Sequence, residues 1–148
     1  MAGILFAASG GGHLDQLALM VGAEHRAAAI LATPATDQAA LRGFSRIESL
    51  PDCNLRQPIR TLRCALVSLM VVMRHRPSRV VSTGAAPGLL CALWGRLGGA
   101  RVLWVDSAAN AEKLSLSGRI ARVVAHNCLT QWPDLADGKR VQFAGSIL

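Results

Sequence analysis

The segment ILFAASGGGHL, residues 4–14, joins a short apolar run to three glycines and then to the start of a helical pattern. Ile4–Ala8 is continuously apolar and has the length of a buried strand, while apolar residues recur with helical spacing after His13. The glycines between these elements permit a tight turn. A buried strand that passes directly into a helix is typical of α/β proteins with a parallel sheet.

The same alternation of strand and helix patterns continues along the chain. We predict strands at Ile4–Ala8, Ala27–Ala32, Arg46–Leu50, Val80–Thr83, Arg101–Asp106, Cys128–Thr130 and Val141–Ala144. We predict helices at Leu14–Ala23, Asp37–Gly43, Ile59–Arg76, Ala86–Leu97 and within Leu114–Val124. No repeat or linker interrupts the pattern, so we expect one α/β domain over residues 1–148 with a doubly wound, mainly parallel sheet.

Composition excludes several classes of protein. With 51% hydrophobic and 17% charged residues, the chain is too apolar to be disordered. A net charge of +7 indicates an anionic partner, which could be phosphate, nucleic acid or a lipid surface. Nucleic acid is the weaker interpretation, because the arginines are scattered and only 4% of residues are aromatic, too few for stacking platforms.

Cysteines and the N-terminal residues indicate a cytoplasmic protein without a metal site or cofactor. The four cysteines form no C-x-x-C pair, so we interpret them as buried free thiols. No Lys or Arg precedes Arg26, which argues against a signal peptide. The longest apolar run, Cys64 to Met73, is shorter than the roughly 20 residues of a membrane-spanning helix. Any membrane contact is therefore expected to be peripheral or through a partner.

The glycine loop after the first strand is the strongest candidate for a binding site. Ligands of open parallel sheets bind beyond the carboxyl ends of the strands. There, Ser9, Gly10, Gly11 and Gly12 lead into a helix whose free N–H groups suit a phosphate, although the loop matches neither the dinucleotide fingerprint nor the P-loop. His13 is placed to contact the ligand or to accept a proton from it. The alternative is a tight turn that binds nothing.

Two further strand ends carry polar or glycine-containing segments. Thr83, Gly84 and Ala85 follow the fourth strand and precede a helix with an early proline, which predicts a second helix start at the crevice or else a plain turn. After the fifth strand come Asp106, Ser107 and Asn110, which suit sugar hydroxyls or the orientation of a histidine. The alternative is that Asp106 caps the following turn.

The long predicted helix Ile59–Arg76 has basic residues on both sides of an apolar run. These residues are Arg60, Arg63, Arg74 and Arg76. Basic side chains that flank an apolar stretch are typical of helices lying on anionic lipid. The alternative, slightly favoured for the helix itself, is an ordinary crossover helix buried on the sheet.

Six motifs, taken together, resemble a known family. They are Ser9-Gly10-Gly11-Gly12-His13, Ser82-Thr83-Gly84-Ala85, Trp104-Val105-Asp106-Ser107, Leu114-Ser115-Leu116-Ser117-Gly118, Thr130-Gln131-Trp132-Pro133 and Ala144-Gly145-Ser146. In order and spacing they resemble the acceptor-side subunit of two-subunit glycosyltransferases. This family includes the membrane-recruiting half of the dolichyl-diphosphate-GlcNAc N-acetylglucosaminyltransferase and bacterial counterparts that serve capsule and exopolysaccharide assembly.

The resemblance implies a Rossmann-like half of a GT-B enzyme, similar to the N-terminal half of the peptidoglycan GlcNAc transferase. A separate donor-binding glycosyltransferase subunit would bind the UDP-sugar, and the acceptor would be linked to a polyprenyl diphosphate. The glycine loop with His13 would lie beneath the diphosphate, Thr83, Gly84 and Ala85 would face the acceptor, and Asp106, Ser107 and Asn110 would form a third cleft loop. The sequence ends with Phe143-Ala144-Gly145-Ser146-Ile147-Leu148, where we expect a single-chain relative to cross into its second domain.

We therefore expect a glycosyltransferase subunit that is peripheral on the inner face of the plasma membrane. His13 is the first candidate for the catalytic base and Asp106 the second. One alternative is a non-catalytic scaffold that recruits a donor-binding enzyme to the membrane, and another is a protein that binds the nucleotide sugar unaided. The stretch that begins Asp106-Ser107 is closer to the bacterial branch than to the eukaryotic members, which carry Glu-Ser.

Overall fold

A computed structural model describes residues 3–147, and its centre is a seven-stranded sheet. The strands are β1 (Ile4–Ala8), β2 (Ile30–Thr33), β3 (Arg46–Ser49), β4 (Arg79–Gly84), β5 (Arg101–Val105), β6 (Asn127–Thr130) and β7 (Val141–Phe143). The helices are α1 (Gly12–Met20), α2 (Ala23–Arg26), α3 (Thr36–Leu41), α4 (Pro58–His75), α5 (Ala85–Leu97) and α6 (Leu116–Val124), with a 3-10 turn at Pro133–Leu135. The predicted domain limits, Met1 and Leu148, lie outside the described residues.

All neighbouring strands are parallel, in the order β3-β2-β1-β4-β5-β6-β7. The predicted α/β class with a doubly wound sheet is confirmed. Since the chain moves from β1 towards one edge and then returns to place β4 on the other side of β1, the switch point lies between these two strands. A ligand crevice is expected at the carboxyl ends of β1 and β4.

Helices lie on both faces of the sheet and bury two parts of its core. The core of one face is formed by residues of β1, α1, β2 and α3, including Leu14, Leu17 and Leu31. The core of the other face is formed with α4, α5 and α6, and includes Cys64, Leu90 and Trp104. Strand β2 is buried at all its positions, as expected for a parallel strand with helices on both faces.

The region after α1 differs from the prediction. The helix ends at Met20 instead of Ala23, a short helix α2 follows, and β2 begins at Ile30 instead of Ala27. The guanidinium of Arg26 explains the change, because it donates hydrogen bonds to the carbonyl oxygens of Ala18 and Val21, which α1 leaves free at its end. The alanines that precede Ile30 therefore belong to a turn.

An ion pair joins α4 to the edge strand β3. The carboxylate of Glu48 lies 2.6 Å from Nε2 of His75 and 3.2 Å from the guanidinium of Arg74. The hydrogen bond from His75 is the largest cause that holds the pKa of the Glu48 carboxyl below its usual value. These contacts fix the C-terminal end of the long helix against the sheet.

We expect Glu48→Gln to lower the free energy of unfolding at pH 7 by about 0.5–1 kcal/mol, the range of a partly exposed ion pair. A carboxyl whose pKa is lower in the folded state contributes stability that is complete above its unfolded pKa, about 4.3, and is lost as the pH falls through the folded pKa. Urea titrations of both proteins should therefore differ at pH 7 and converge as the pH falls through the folded pKa of Glu48. Glu24→Gln, in an exposed pair with His25, is the control and should match wild type. A difference that is constant with pH would contradict this role of Glu48.

Candidate functional site

Three loops meet at the carboxyl edge of the sheet, where the strand order switches. They follow β1, β4 and β5, which are neighbours in the sheet. Two of the loops pass almost immediately into a helix, α1 at Gly12 and α5 at Ala85. The free N–H groups and positive dipole ends of two helices therefore face the same edge.

The glycine loop has a backbone path that requires glycine at two positions. Gly11 has a φ of +69°, and its N–H donates a hydrogen bond of 2.9 Å to Oε1 of Gln38 in α3. A Cβ on Gly10 would lie 2.8 Å from that of Ala35. A Cβ on Gly11 or Gly12 would meet no atom within 4 Å, so this side of the loop is open to a ligand. Ser9 lies half-buried at the start of the loop.

His13 and Thr83 connect the first two loops through a reciprocal pair of hydrogen bonds. Nδ1 of His13 lies 3.1 Å from the carbonyl oxygen of Thr83, and the Thr83 hydroxyl donates to the carbonyl oxygen of His13 at 2.7 Å. A carbonyl oxygen only accepts, so Nδ1 carries the hydrogen and Nε2 of the neutral ring keeps its lone pair. His13 therefore has one anchored nitrogen and one available as a base.

Gly84 makes room for the imidazole ring. A Cβ at this position would lie 2.4 Å from Nδ1 of His13, and the backbone has a φ of +141°. Ala85 follows with a φ of +65°, an uncommon conformation for a residue with a side chain. The turn between β4 and α5 thus brings the start of α5 close to His13.

Asp106 lies at the end of β5 and is only 1% exposed. Its Oδ1 accepts hydrogen bonds from Nε1 of Trp104 at 3.2 Å and from Oγ of Ser115 at 2.8 Å. Its Oδ2 accepts from Nδ2 of Asn110 and from the backbone N–H of Ser115, both at 3.2 Å. The carboxylate therefore holds the third loop and the start of α6 together, and its oxygens are already engaged. Ser107, half-buried beside it, accepts from the N–H of Ala109.

Gln16 is a site residue that sequence reasoning missed. This buried side chain of α1 donates to the carbonyl oxygens of Asp106 at 3.2 Å and Val105 at 3.4 Å. Its Oε1 accepts from the N–H of Ala108 at 3.2 Å. Gln16 thus joins the helix after the glycine loop to the third loop. The sequence does not distinguish Gln16 from its exposed neighbour Asp15, because both are polar residues between the apolar Leu14 and Leu17.

A cavity of about 390 Å³ opens beside the starts of α5 and α6. Its lining includes Ala85 and Ser115 together with Asn54 and Arg56 from the loop before α4. Arg56, exposed here, was not among the predicted site residues. Its guanidinium adds a positive charge to the cavity beside the start of α5.

The cysteines lie in the core and are free thiols, as interpreted from the sequence. Burial raises the pKa of the Cys91 and Cys128 thiols to about 12, and raises the pKa of Cys53 and Cys64 as well. Thiols with raised pKa values are poor nucleophiles and poor metal ligands. Within residues 3–147, no three His, Cys, Asp or Glu side chains are grouped as a metal site.

Helix α4 has apolar residues on two sides. Its inner side buries Cys64, Ser68, Val71 and Val72 against the sheet. An outer stripe of exposed apolar residues recurs every three or four positions and consists of Ile59, Leu62, Leu66, Met70 and Met73. The predicted arginines Arg60, Arg63, Arg74 and Arg76 are exposed on or next to this helix, Arg74 in its pair with Glu48. Among the residues described, no helix is long and apolar enough to cross a membrane.

Sequence comparison identifies the family that the motifs indicated. The family model for Alg14-like oligosaccharide biosynthesis proteins matches residues 21–147. The UDP-N-acetylglucosamine transferase subunit ALG14 of Eremothecium gossypii is 33% identical over 131 residues, which cover 74% of this chain and 58% of that protein. The subunit of the same name from Cryptococcus neoformans is 40% identical over 53 residues, 36% of this chain and 23% of that protein. The chain thus spans little more than half the length of the Eremothecium gossypii protein.

Solved structures confirm the predicted Rossmann-like half of a GT-B fold. MurG of Acinetobacter baumannii matches with a TM-score of 0.77 at 14% identity, over 100% of this chain and 46% of that chain. A glycosyltransferase from Rickettsia africae matches with a TM-score of 0.66 at 9% identity, over 97% of this chain and 43% of that chain. At these identities the comparison establishes the fold alone.

We expect Asp106→Asn to lower the free energy of unfolding by about 2 kcal/mol, because the new amide N–H₂ group cannot accept the hydrogen bonds that the carboxylate oxygen accepts. Urea denaturation monitored by tryptophan fluorescence measures this, since Trp104 donates to the same carboxylate. Asp134→Asn, in the exposed 3-10 turn, is the matched control and should stay within about 0.5 kcal/mol of wild type. Equal stabilities of the two variants would contradict a role of Asp106 in holding the third loop.

Proposed function

The chain belongs to the family of Alg14-like oligosaccharide biosynthesis proteins, and from this we propose that it is the acceptor-side subunit of a glycosyltransferase. The donor would be a UDP-sugar bound by a partner chain, and the acceptor a sugar linked to a polyprenyl diphosphate. UDP-N-acetylglucosamine is the first donor to test, because the curated relatives are named as subunits of a transferase of that sugar.

One observation supports this proposal. The starts of α1 and α5 lie together at the switch point, where His13 and Thr83 form two hydrogen bonds. A diphosphate carries charge that helix N-termini stabilise through their free N–H groups and dipoles. The open side of Gly11 and Gly12 lets the phosphates approach the backbone closely. Arg56 supplies a further cation to the neighbouring cavity. A lipid-linked diphosphate acceptor therefore fits the charge and shape of this edge.

His13 is the proposed catalytic base. In an inverting displacement, the acceptor hydroxyl loses a proton while its oxygen forms a bond to the anomeric carbon and the bond to UDP breaks. Nε2 of His13 receives that proton, while Nδ1 holds the ring through Thr83. The departing UDP would be stabilised by the partner chain. Asp106 becomes a positioning residue in this mechanism instead of a second base, because four donors occupy its carboxylate.

The face of the sheet opposite α5 and α6 is the proposed docking surface for the donor-binding chain. Within residues 3–147, Val81, Leu103 and Leu129 on this face stay half-buried and line two cavities of about 460 and 190 Å³. Parallel sheets are normally covered on both faces. At one end, Nε2 of Gln131 is buried without a hydrogen-bond partner in the described chain, a donor that an incoming chain would satisfy.

The outer stripe of α4 is the proposed site of membrane association, on the inner face of the plasma membrane. Its exposed apolar residues would enter the boundary between headgroups and acyl chains, while Arg60, Arg63 and Arg76 would meet anionic headgroups. Because α4 begins beside the crevice, a lipid-linked acceptor would reach the glycine loop without leaving the membrane surface.

The proposed function is tested by purifying the tagged chain from native membranes and assaying the complex with UDP-N-acetylglucosamine and endogenous lipid acceptor. We expect a donor-binding glycosyltransferase chain in stoichiometric amount. His13→Ala should lower turnover by about 100-fold or more, the contribution of a general base, with partner recovery unchanged. His13→Asn, which can still donate to the Thr83 carbonyl, should be equally slow.

Three results would change this conclusion. Full turnover in His13→Asn would assign the residue a positioning role. Full turnover in both variants would favour the scaffold, in which the partner supplies all catalytic groups. Binding of the UDP-sugar by the isolated chain would contradict the division between donor and acceptor subunits.

We expect Leu62→Glu to weaken binding to vesicles of phosphatidylcholine with 30% phosphatidylglycerol by at least tenfold, since the burial of one leucine contributes roughly 1.5–3 kcal/mol. Sedimentation of the purified chain with the vesicles measures this. Leu41→Glu is the matched control, because Leu41 is 87% exposed on α3, away from α4. Equal binding by the two variants would exclude α4 as the membrane contact.

A further inference from the structure

Helix α6 repeats the pattern of α4 on a smaller scale. Its inner side buries Ser117, Gly118 and Ala121. Its outer side exposes Leu116, Ile120 and Val123, which are 46%, 42% and 65% accessible. Residues at i, i+4 and i+7 lie on one face of a helix, so these three form a continuous apolar stripe directed away from the core.

The surroundings of this stripe are basic. Arg119 and Arg122 are exposed beside it, and α6 contains no acidic residue. Arg122 lies near Asp137, whose carboxylate accepts the backbone N–H groups of Lys139 and Arg140. Apolar residues flanked by arginines fit an anionic lipid surface better than water. No function described above uses these residues.

The two stripes lie on one side of the molecule. Helix α5 packs against α4 on one flank and against α6 on the other, and all three helices contribute to the core of the same sheet face. With interaxial distances of about 8–10 Å between packed helices, the stripes of α4 and α6 are roughly 20 Å apart. A flat surface of lipid could contact both at once.

We propose that α6 is a second membrane-contacting helix, which docks on an anionic bilayer together with α4. This inference rests on the proposed membrane association of α4. Two contacts on one rigid layer reinforce each other, because binding of the first brings the second to the membrane at high local concentration. The cavity lined by Ala85, Ser115 and Arg56 lies at the starts of α5 and α6 and at the loop that precedes α4.

The experiment compares Ile120→Glu with Leu41→Glu in the full chain, using vesicles of phosphatidylcholine with 30% phosphatidylglycerol. Both variants place one acidic residue at an exposed apolar position of a helix, so their folding is expected to match wild type by thermal denaturation. We expect Ile120→Glu to bind at least tenfold more weakly, as expected from the loss of one buried side chain. Leu41→Glu should bind like wild type.

A spin label distinguishes direct contact from an indirect effect. Ile120→Cys and Leu41→Cys carry the label, and selective labelling is feasible because the four natural cysteines are buried. On vesicles, the label at residue 120 should gain collisions with oxygen and lose collisions with a water-soluble nickel chelate. The label at residue 41 should keep its aqueous values.

Several outcomes would overturn the inference, and they separate it from the function on which it rests. If Leu62→Glu loses binding while Ile120→Glu binds like wild type, α4 is the membrane contact and α6 is not. If the label at residue 120 stays aqueous, the same conclusion follows. If Ile120→Glu loses the donor-binding chain but keeps its vesicle binding, α6 is a protein interface. If wild type does not bind the vesicles, both the α4 and the α6 contacts are wrong.

Discussion

The reciprocal hydrogen bonds between His13 and Thr83 join the start of α1 to the end of β4, at the point where the strand order of the sheet switches. As a result, both helix starts face one volume. Gly84 is required for this contact, because any side chain there would occupy the space of the imidazole. Orientation of the ring, approach of α5 and access to the glycine loop therefore depend on one local arrangement of backbone and side chain.

Sequence patterns predicted the strands, the long helices and the glycine loop because these depend on local periodicity and on glycine's backbone freedom. They did not predict the role of Gln16, because its hydrogen bonds go to the carbonyl oxygens of Val105 and Asp106, which are about 90 residues away in the sequence. The late start of β2 has the same origin. It follows from the contact of Arg26 with the end of α1, which depends on how the chain turns back.

Helix α4 illustrates a different limit of sequence patterns. Its outer stripe and its inner face are both apolar, so the sequence alone could not distinguish a crossover helix from a surface helix. The structure shows that one side of α4 is buried on the sheet and that the other side exposes apolar residues. Small residues and cysteine suffice on the side that packs on the sheet, whereas the larger leucines and methionines point outwards. An apolar surface of this kind, bordered by arginines, is typical of interaction sites.

The placement of Asp106 is compatible with the anionic ligand that we propose for this edge of the sheet. An exposed carboxylate at a strand end would repel a diphosphate at the same edge, and this repulsion is strong where water is excluded. Burial alone would not solve the problem, because an unpaired buried charge is costly. Four donors from Trp104, Asn110 and Ser115 satisfy the carboxylate instead. The buried carboxylate thus organises the third loop, while the starts of α1 and α5 and the guanidinium of Arg56 are the positive groups available to the proposed ligand.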